Sequence, residues 1–236
     1  LEKNNNISTK QSLFVRLLRL LVGILIFSAL LFLPAGRIDW MEAWALLILF
    51  FTYVIILSAW GWRHDPQLMK ERSKFIPEGE KWDKIIMGIY TILLFTLFIT
   101  TGLDGGRFHW SNTPIFLKVL GWLGFGFAMI IGWRVMYVNT YLSRSVRIQE
   151  ERGHQVITNG PYRFIRHPMY LGAILYVLCI PMVLDSIWSF IPSFLIVVLF
   201  IIRTAFEDHT LIEKLPGYKE YTKNVQYRLI PFVWLN

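Results

Sequence analysis

One cysteine in 236 residues, Cys179, excludes an intramolecular disulfide and any cysteine-built metal site. Set inside an apolar run, it reads as a small packing residue. Charge is scarce as well: Asp, Glu, Lys and Arg make up 17% of the chain, where a soluble domain carries about a quarter. Acids are the scarcer sign, 16 against 24 lysines and arginines, which leaves a formal charge of +8. The five histidines lack the paired spacing of a zinc helix, so no metal is expected. A dinucleotide fingerprint is missing too. Gly124 and Gly126 begin one, but Met129 stands where its third glycine belongs and no strand precedes them, which excludes a Rossmann-type soluble fold. No repeat, low-complexity tract or domain linker divides the chain.

Apolar sequence is what the chain has in abundance. Hydrophobic residues make up 55% and aromatics 16%, and they come in blocks. Spans are expected at 13–33, 43–60, 84–102, 115–138, 170–184 and 187–202, each about as long as a helix needs to cross a hydrocarbon core. The last two are short and separated by Asp185 and Ser186 alone, which predicts a tight helical hairpin. The fold class is therefore an all-α, polytopic integral membrane protein of about six transmembrane helices. Lys10, Arg16 and Arg19 followed by an apolar run imitate a signal peptide, but no small-residue cleavage site closes the run, so it is expected to remain as a span.

Charge sets the topology. With both termini cytoplasmic, Arg37, Arg107 and Lys118 are the outward-facing cations among the 24, and the rest crowd the inner connections and tail. The expected setting is a prokaryotic cell membrane, and the basic surface reads as attraction to anionic lipid rather than to nucleic acid. Residues 1–12, with the polar stretch from Asn4 to Thr9, are expected to be a disordered cytoplasmic segment; 13–114 a scaffold of about three helices; and 115–236 the region that carries the chemistry. Gly124, Ala128 and Gly132, four apart in the fourth span, form a smooth ridge for another helix.

Three groups of polar residues stand at the cytoplasmic ends of the spans. Gly160 to Gly172 (GPYRFIRHPMYLG) gathers Tyr162, Arg163, Arg166, His167 and Tyr170 where a helix start needs only Pro168 and one cap. Arg203, Glu207 and Asp208 close the sixth span; Arg203 and Glu207, four apart, can pair on one helix face. After Pro216-Gly217 breaks that helix, the tail from Tyr218 to Trp234 is expected to fold back along the membrane as a lid or an anchor. Arg134 is expected to snorkel to the interface.

The run Gly153 to Gly172, followed by a helical hairpin, by R-x-x-x-E-D at Arg203 to Asp208 and by Arg228-Leu-Ile-Pro, resembles the isoprenylcysteine carboxyl methyltransferase family, whose relatives include membrane phospholipid N-methyltransferases. The resemblance covers about the C-terminal half. The family usually has two glutamates where this chain has Glu207-Asp208, a departure that keeps the charge and shortens one arm.

The resemblance implies a cytosolic pocket for S-adenosylmethionine, built from the hairpin and the tail. His167, Pro168 and Tyr170 would border the cofactor, Glu207 and Asp208 would hold its polar groups, and Gly160 with Tyr162 would shape the wall. Arg166 or Arg203 would orient an anionic acceptor, and Glu207 completes the catalytic set. The acceptor, lipophilic or small and apolar (an isoprenylcysteine-like carboxylate, a phospholipid amine or a thiol), would enter from the bilayer and be methylated at O, N or S. Two other readings compete. A sterol-type membrane reductase using NADPH is expected to show Asn after His-Pro and Glu after Gly, where this chain has Met169 and Ala173. A non-enzymatic membrane protein would use the same polar residues as anchors.

Overall fold

The structure is a computed structural model that describes residues 2–74 and 79–231, with side chains described from Phe14 onward, apart from those gaps. Its elements are α1 (Glu2–Ala35), α2 (Met41–His64), α3 (Pro66–Ser73), α4 (Lys81–Thr101), α5 (Ile115–Val138), α6 (Pro168–Val183), α7 (Phe190–Lys214) and α8 (Tyr218–Asn224), and the described residues include no strand. The all-helical, multi-spanning class expected from composition is the class observed. Among the described residues, five helical segments are long and apolar enough to cross a membrane, namely Phe14–Ala35, Met41–His64, Lys81–Phe108, Ile115–Val138 and Phe190–Lys214. Large apolar side chains such as Leu123, Phe127 and Ile130 point outward and stay exposed, as lipid-facing residues do.

The N-terminal helix is drawn back to Glu2, ahead of the expected start at 13, because extending a nucleated helix through polar residues costs little. The side chains of 2–13 lie outside the description, as does Trp234 in the tail.

The hairpin is asymmetric where two short helices were expected. α6 has 16 residues, about 24 Å at 1.5 Å each, and falls short of a roughly 30 Å hydrocarbon core. α7 has 25 residues and runs well past the expected end at 202, because Arg203 and Asp208 find buried partners there that let the helix continue. It stops at Lys214, and Gly217, at φ 83°, turns the chain into α8. The apex is pinned by Asp185, which accepts from Thr113 Oγ1 at 2.6 Å and pairs with Lys118 Nζ at 2.8 Å.

Close packing of α5 on α6 places the polar end of the hairpin. A Cβ on Gly124 would lie 2.6 Å from Cys179 Sγ, and one on Gly121 would lie 2.8 Å from Met182 Cβ. The expected ridge splits: Gly124 and Ala128 face α6, but Gly132 faces Tyr53 of α2, whose hydroxyl would be 2.7 Å from its Cβ. Each four-residue step advances about 40° beyond a full turn, so two steps rotate the ridge onto another neighbour. Gly124→Leu is expected to destabilise the protein by about 1–3 kcal/mol through overpacking. Gly126→Leu, where a Cβ meets nothing within 4 Å, should leave the thermal midpoint in detergent unchanged.

Candidate active site

The connection between α5 and α6 has no regular ladder, so side chains organise it. Asn139 ends α5 and its Oδ1 accepts from Tyr141 N at 2.9 Å, while its Nδ2 donates to Tyr162 Oη at 2.6 Å. Arg152 donates to Gln149 Oε1 at 2.6 Å and Thr140 Oγ1 at 3.1 Å, and Tyr141 packs on His154 with ring centroids 4.6 Å apart. Burial, then the neighbouring Arg152 and Arg147, pushes His154 down to about 4, so it is neutral at pH 7. Gly160, at φ 58°, begins the one-turn helix Gly160–Arg163 with its α-carbon against Val138, and Pro168 opens α6.

Asp208 is the centre of this end of the molecule. It has no exposed surface. Its Oδ2 accepts from Arg166 Nη1 at 2.9 Å and Arg228 Nε at 3.2 Å, and its Oδ1 meets His167 Nε2 at 3.1 Å and Tyr218 Oη at 2.9 Å. The tail joins in through its backbone. Arg166 N and His167 N donate to Tyr227 O and Arg228 O, both at 2.9 Å, and Tyr221 Oη donates to Tyr162 O at 2.7 Å. Tail, motif and α7 are thus tied through one carboxylate. Burial raises the phenols of Tyr162, Tyr218 and Tyr221 above their ordinary range, so all three stay protonated.

A second buried carboxylate, Asp83 in the first turn of α4, ties the scaffold to α7. Its Oδ1 accepts from Arg203 Nε at 2.7 Å and its Oδ2 from Val146 N at 2.9 Å, while Arg203 Nη2 donates to Arg144 O at 3.0 Å. The Arg203–Glu207 pair expected from spacing does not form. Arg203 turns to Asp83, and Glu207 instead accepts a hydrogen bond from Tyr170 Oη through Oε2. Arg134 is exposed, away from these groups.

Around these ties lies a cavity of about 310 Å³, within the lower range of small-molecule sites. One wall comes from the spans: Met87 and Tyr90 of α4, Met169, Tyr170 and Ala173 of α6, Phe200 and Glu207 of α7. The other comes from the loop at 139–147 and 154–157 and from Tyr218 and Tyr221.

Of the residues singled out in the sequence, Tyr162, Arg166, His167, Tyr170, Arg203 and Glu207 line this cavity. Gly160, Pro168 and Asp208 do not. Gly160 and Pro168 shape the backbone behind the wall, and the oxygens of Asp208 are taken by four protein side chains. Sequence reasoning missed Asp83, Arg72 and the 139–147 loop. The signal for Asp83 was an acid at the edge of an otherwise apolar span.

A sequence model of the family described as phospholipid methyltransferase matches residues 113–216, from just before α5 to the end of α7 and so most of the cavity wall. Comparison with curated proteins gives no match.

Proposed function

We propose, taking residues 113–216 as a phospholipid methyltransferase family region, that the protein is an integral membrane methyltransferase. Its methyl donor is S-adenosylmethionine and its acceptor is lipophilic. The observation that carries this reading is a cavity walled on one side by membrane-spanning helices and on the other by a polar loop, with Glu207 its sole carboxylate among the lining residues. Such a site serves a water-borne cofactor and a bilayer-borne acceptor together.

The lining residues suit the donor. Glu207 Oε2 is occupied by Tyr170, but Oε1 accepts no hydrogen bond from the described residues, which leaves it for an ammonium group or ribose hydroxyls. His167 and Tyr170 stack in parallel, 5.8 Å apart, and give a flat wall beside a cation. When bound, S-adenosylmethionine supplies a methyl group on a positively charged sulfur. The protein's part is alignment and exclusion of water, without a covalent intermediate on the chain. Met169, Ala173 and Phe200 present the apolar surface that admits the acceptor. Arg166 and Arg203, each neutralised by a buried aspartate, act by holding the motif and α7 in place. The positive-inside count puts this end in the cytosol.

Calorimetry on the detergent-purified protein tests the reading. S-adenosylhomocysteine is expected to bind, and Glu207→Gln, with folding checked by thermal melting, is expected to weaken it about tenfold or more, as loss of a charge-assisted hydrogen bond does. Binding of NADPH in its place would support the reductase, and binding of neither would support a non-enzymatic role.

A further inference from the structure

Five arginines line the cavity against one carboxylate: Arg72, Arg144, Arg147, Arg166 and Arg203 face Glu207. Three have carboxylate partners of their own. Arg203 pairs with Asp83 at 2.7 Å, Arg166 with Asp208 at 2.9 Å, and Arg147 with Glu71 at 2.9 Å and Glu151 at 2.6 Å. Among the described residues, Arg72 and Arg144 have none. The acid nearest in sequence to Arg72 is Glu71, and it is spent on Arg147 and on Lys74 at 2.7 Å.

We propose that Arg72 and Arg144 form an oxyanion subsite of this cavity, holding the carboxylate or phosphate of a bound ligand. The proposal deepens the methyltransferase reading and rests on it for the identity of the ligands.

Both arginines are placed rather than loose. Arg72 sits on α3, capped by Asp65, whose Oδ1 accepts from Leu68 N at 2.9 Å, and anchored to the loop through Glu71. The carbonyl of Arg144 is held by Arg203 Nη2 at 3.0 Å. A third guanidinium stands in the same corner, since Arg19 donates to Ser73 O at 2.7 Å, next to Arg72. Burial first, then Arg144, pushes Arg72 down to about 10, and burial followed by Arg19 lowers Arg144. Like charges crowded at a half-buried wall are relieved by an anion, and the planar guanidinium fork matches carboxylate and phosphate oxygens. Lipid attraction at the surface explains exposed arginines, but Arg72 and Arg144 both line the cavity.

Two sources supply such an oxyanion: the amino-acid end of the nucleoside cofactor, or the head of an acidic lipid acceptor. Their neutral counterparts separate them. The full chain in detergent, as wild type, Arg72→Gln, Arg72→Lys and Arg144→Gln, is titrated with S-adenosylhomocysteine and with methylthioadenosine, which lacks the carboxylate. It is then titrated with short-chain phosphatidic acid and with the matching diacylglycerol.

The expected result is a tenfold or greater weakening of one oxyanion ligand in both Gln variants, partly restored in Arg72→Lys, with its neutral counterpart unaffected. Loss confined to S-adenosylhomocysteine assigns the subsite to the cofactor, and loss confined to phosphatidic acid assigns it to the acceptor. Oxyanion affinities within twofold of wild type, or equal losses for the neutral counterparts, overturn the proposal. So does a wild type that binds neither oxyanion. Exposed Arg144 keeps the test decisive if Arg72→Gln fails to fold. Arginine-dependent binding of phosphatidic acid with no nucleoside binding would leave the subsite standing and the methyltransferase reading fallen. Unchanged S-adenosylhomocysteine binding in every variant, with no effect on the lipid, would do the reverse.

Discussion

Asp208→Ala is expected to cost about 3–5 kcal/mol of stability, enough to remove the folded protein from most detergent preparations. The size follows from what the carboxylate leaves behind. Arg166, 2% exposed, would lose the anion that compensates its burial, and His167, 6% exposed, and the Tyr218 phenol would each lose a hydrogen-bond partner. Removing one partner of a buried ion pair is costly because the other remains charged and unsolvated. Asp208→Asn should fall in between, since it keeps a carbonyl acceptor but no charge. The neighbouring His209 gives the control. It sits 72% exposed and 3.4 Å from Glu213, so His209→Ala should stay within about 0.5 kcal/mol of wild type. Thermal melting monitored by tryptophan fluorescence, with size-exclusion profiles, reads all three. An Asp208→Ala protein that melts within 1 kcal/mol of wild type, as an order of magnitude, would show that Arg166 finds other solvation and that the hub is not structural.

The contrast between Glu207 and Asp208 shows what was legible in the sequence. Adjacent residues on a helix point about 100° apart, so two consecutive acids do not share one task. Glu207 lines the cavity, and Asp208 turns to Arg166, Tyr218 and the tail. Membrane class and most span positions were readable from apolar runs, because burial in lipid is imposed on every residue of a span. The polar motif was readable because ionisable groups at membrane depth need partners. Partner identity was not. Arg203 finds its acid 120 positions away in Asp83, and nothing in helical periodicity carries that distance. The loop from 139 to 157 was opaque for a related reason: its order comes from single contacts such as Asn139 with Tyr162 and Arg152 with Gln149, which have no repeating pattern. Gly160 and Pro168, expected beside the cofactor, stand in the structure at backbone turning points, at φ 58° and at the first turn of α6.

The Asp83–Arg203 pair allows fold and function to be separated in one set of variants. Asp83→Ala is expected to destabilise by about 3–5 kcal/mol, because Arg203, 6% exposed, would keep its charge without its carboxylate. Replacing both with apolar residues of similar size, Asp83→Leu with Arg203→Met, should recover much of that loss, since neither charge then has to be desolvated. Ligand binding should not recover with it. Arg203 lies over the Tyr170 ring, 5.0 Å from its centroid, and Tyr170 in turn donates to Glu207. Arg203 also holds the Arg144 carbonyl, so the apolar pair loosens both the carboxylate end of the cavity and its basic end. The expected pattern is a double variant with a melting temperature near wild type and S-adenosylhomocysteine affinity reduced about tenfold, with the single Asp83→Ala variant impaired in both. If the double variant binds as wild type does, Arg203 serves only to fasten α7 to α4. If its stability is not recovered, the Val146 amide that Asp83 also accepts at 2.9 Å carries more of the tie than the ion pair does.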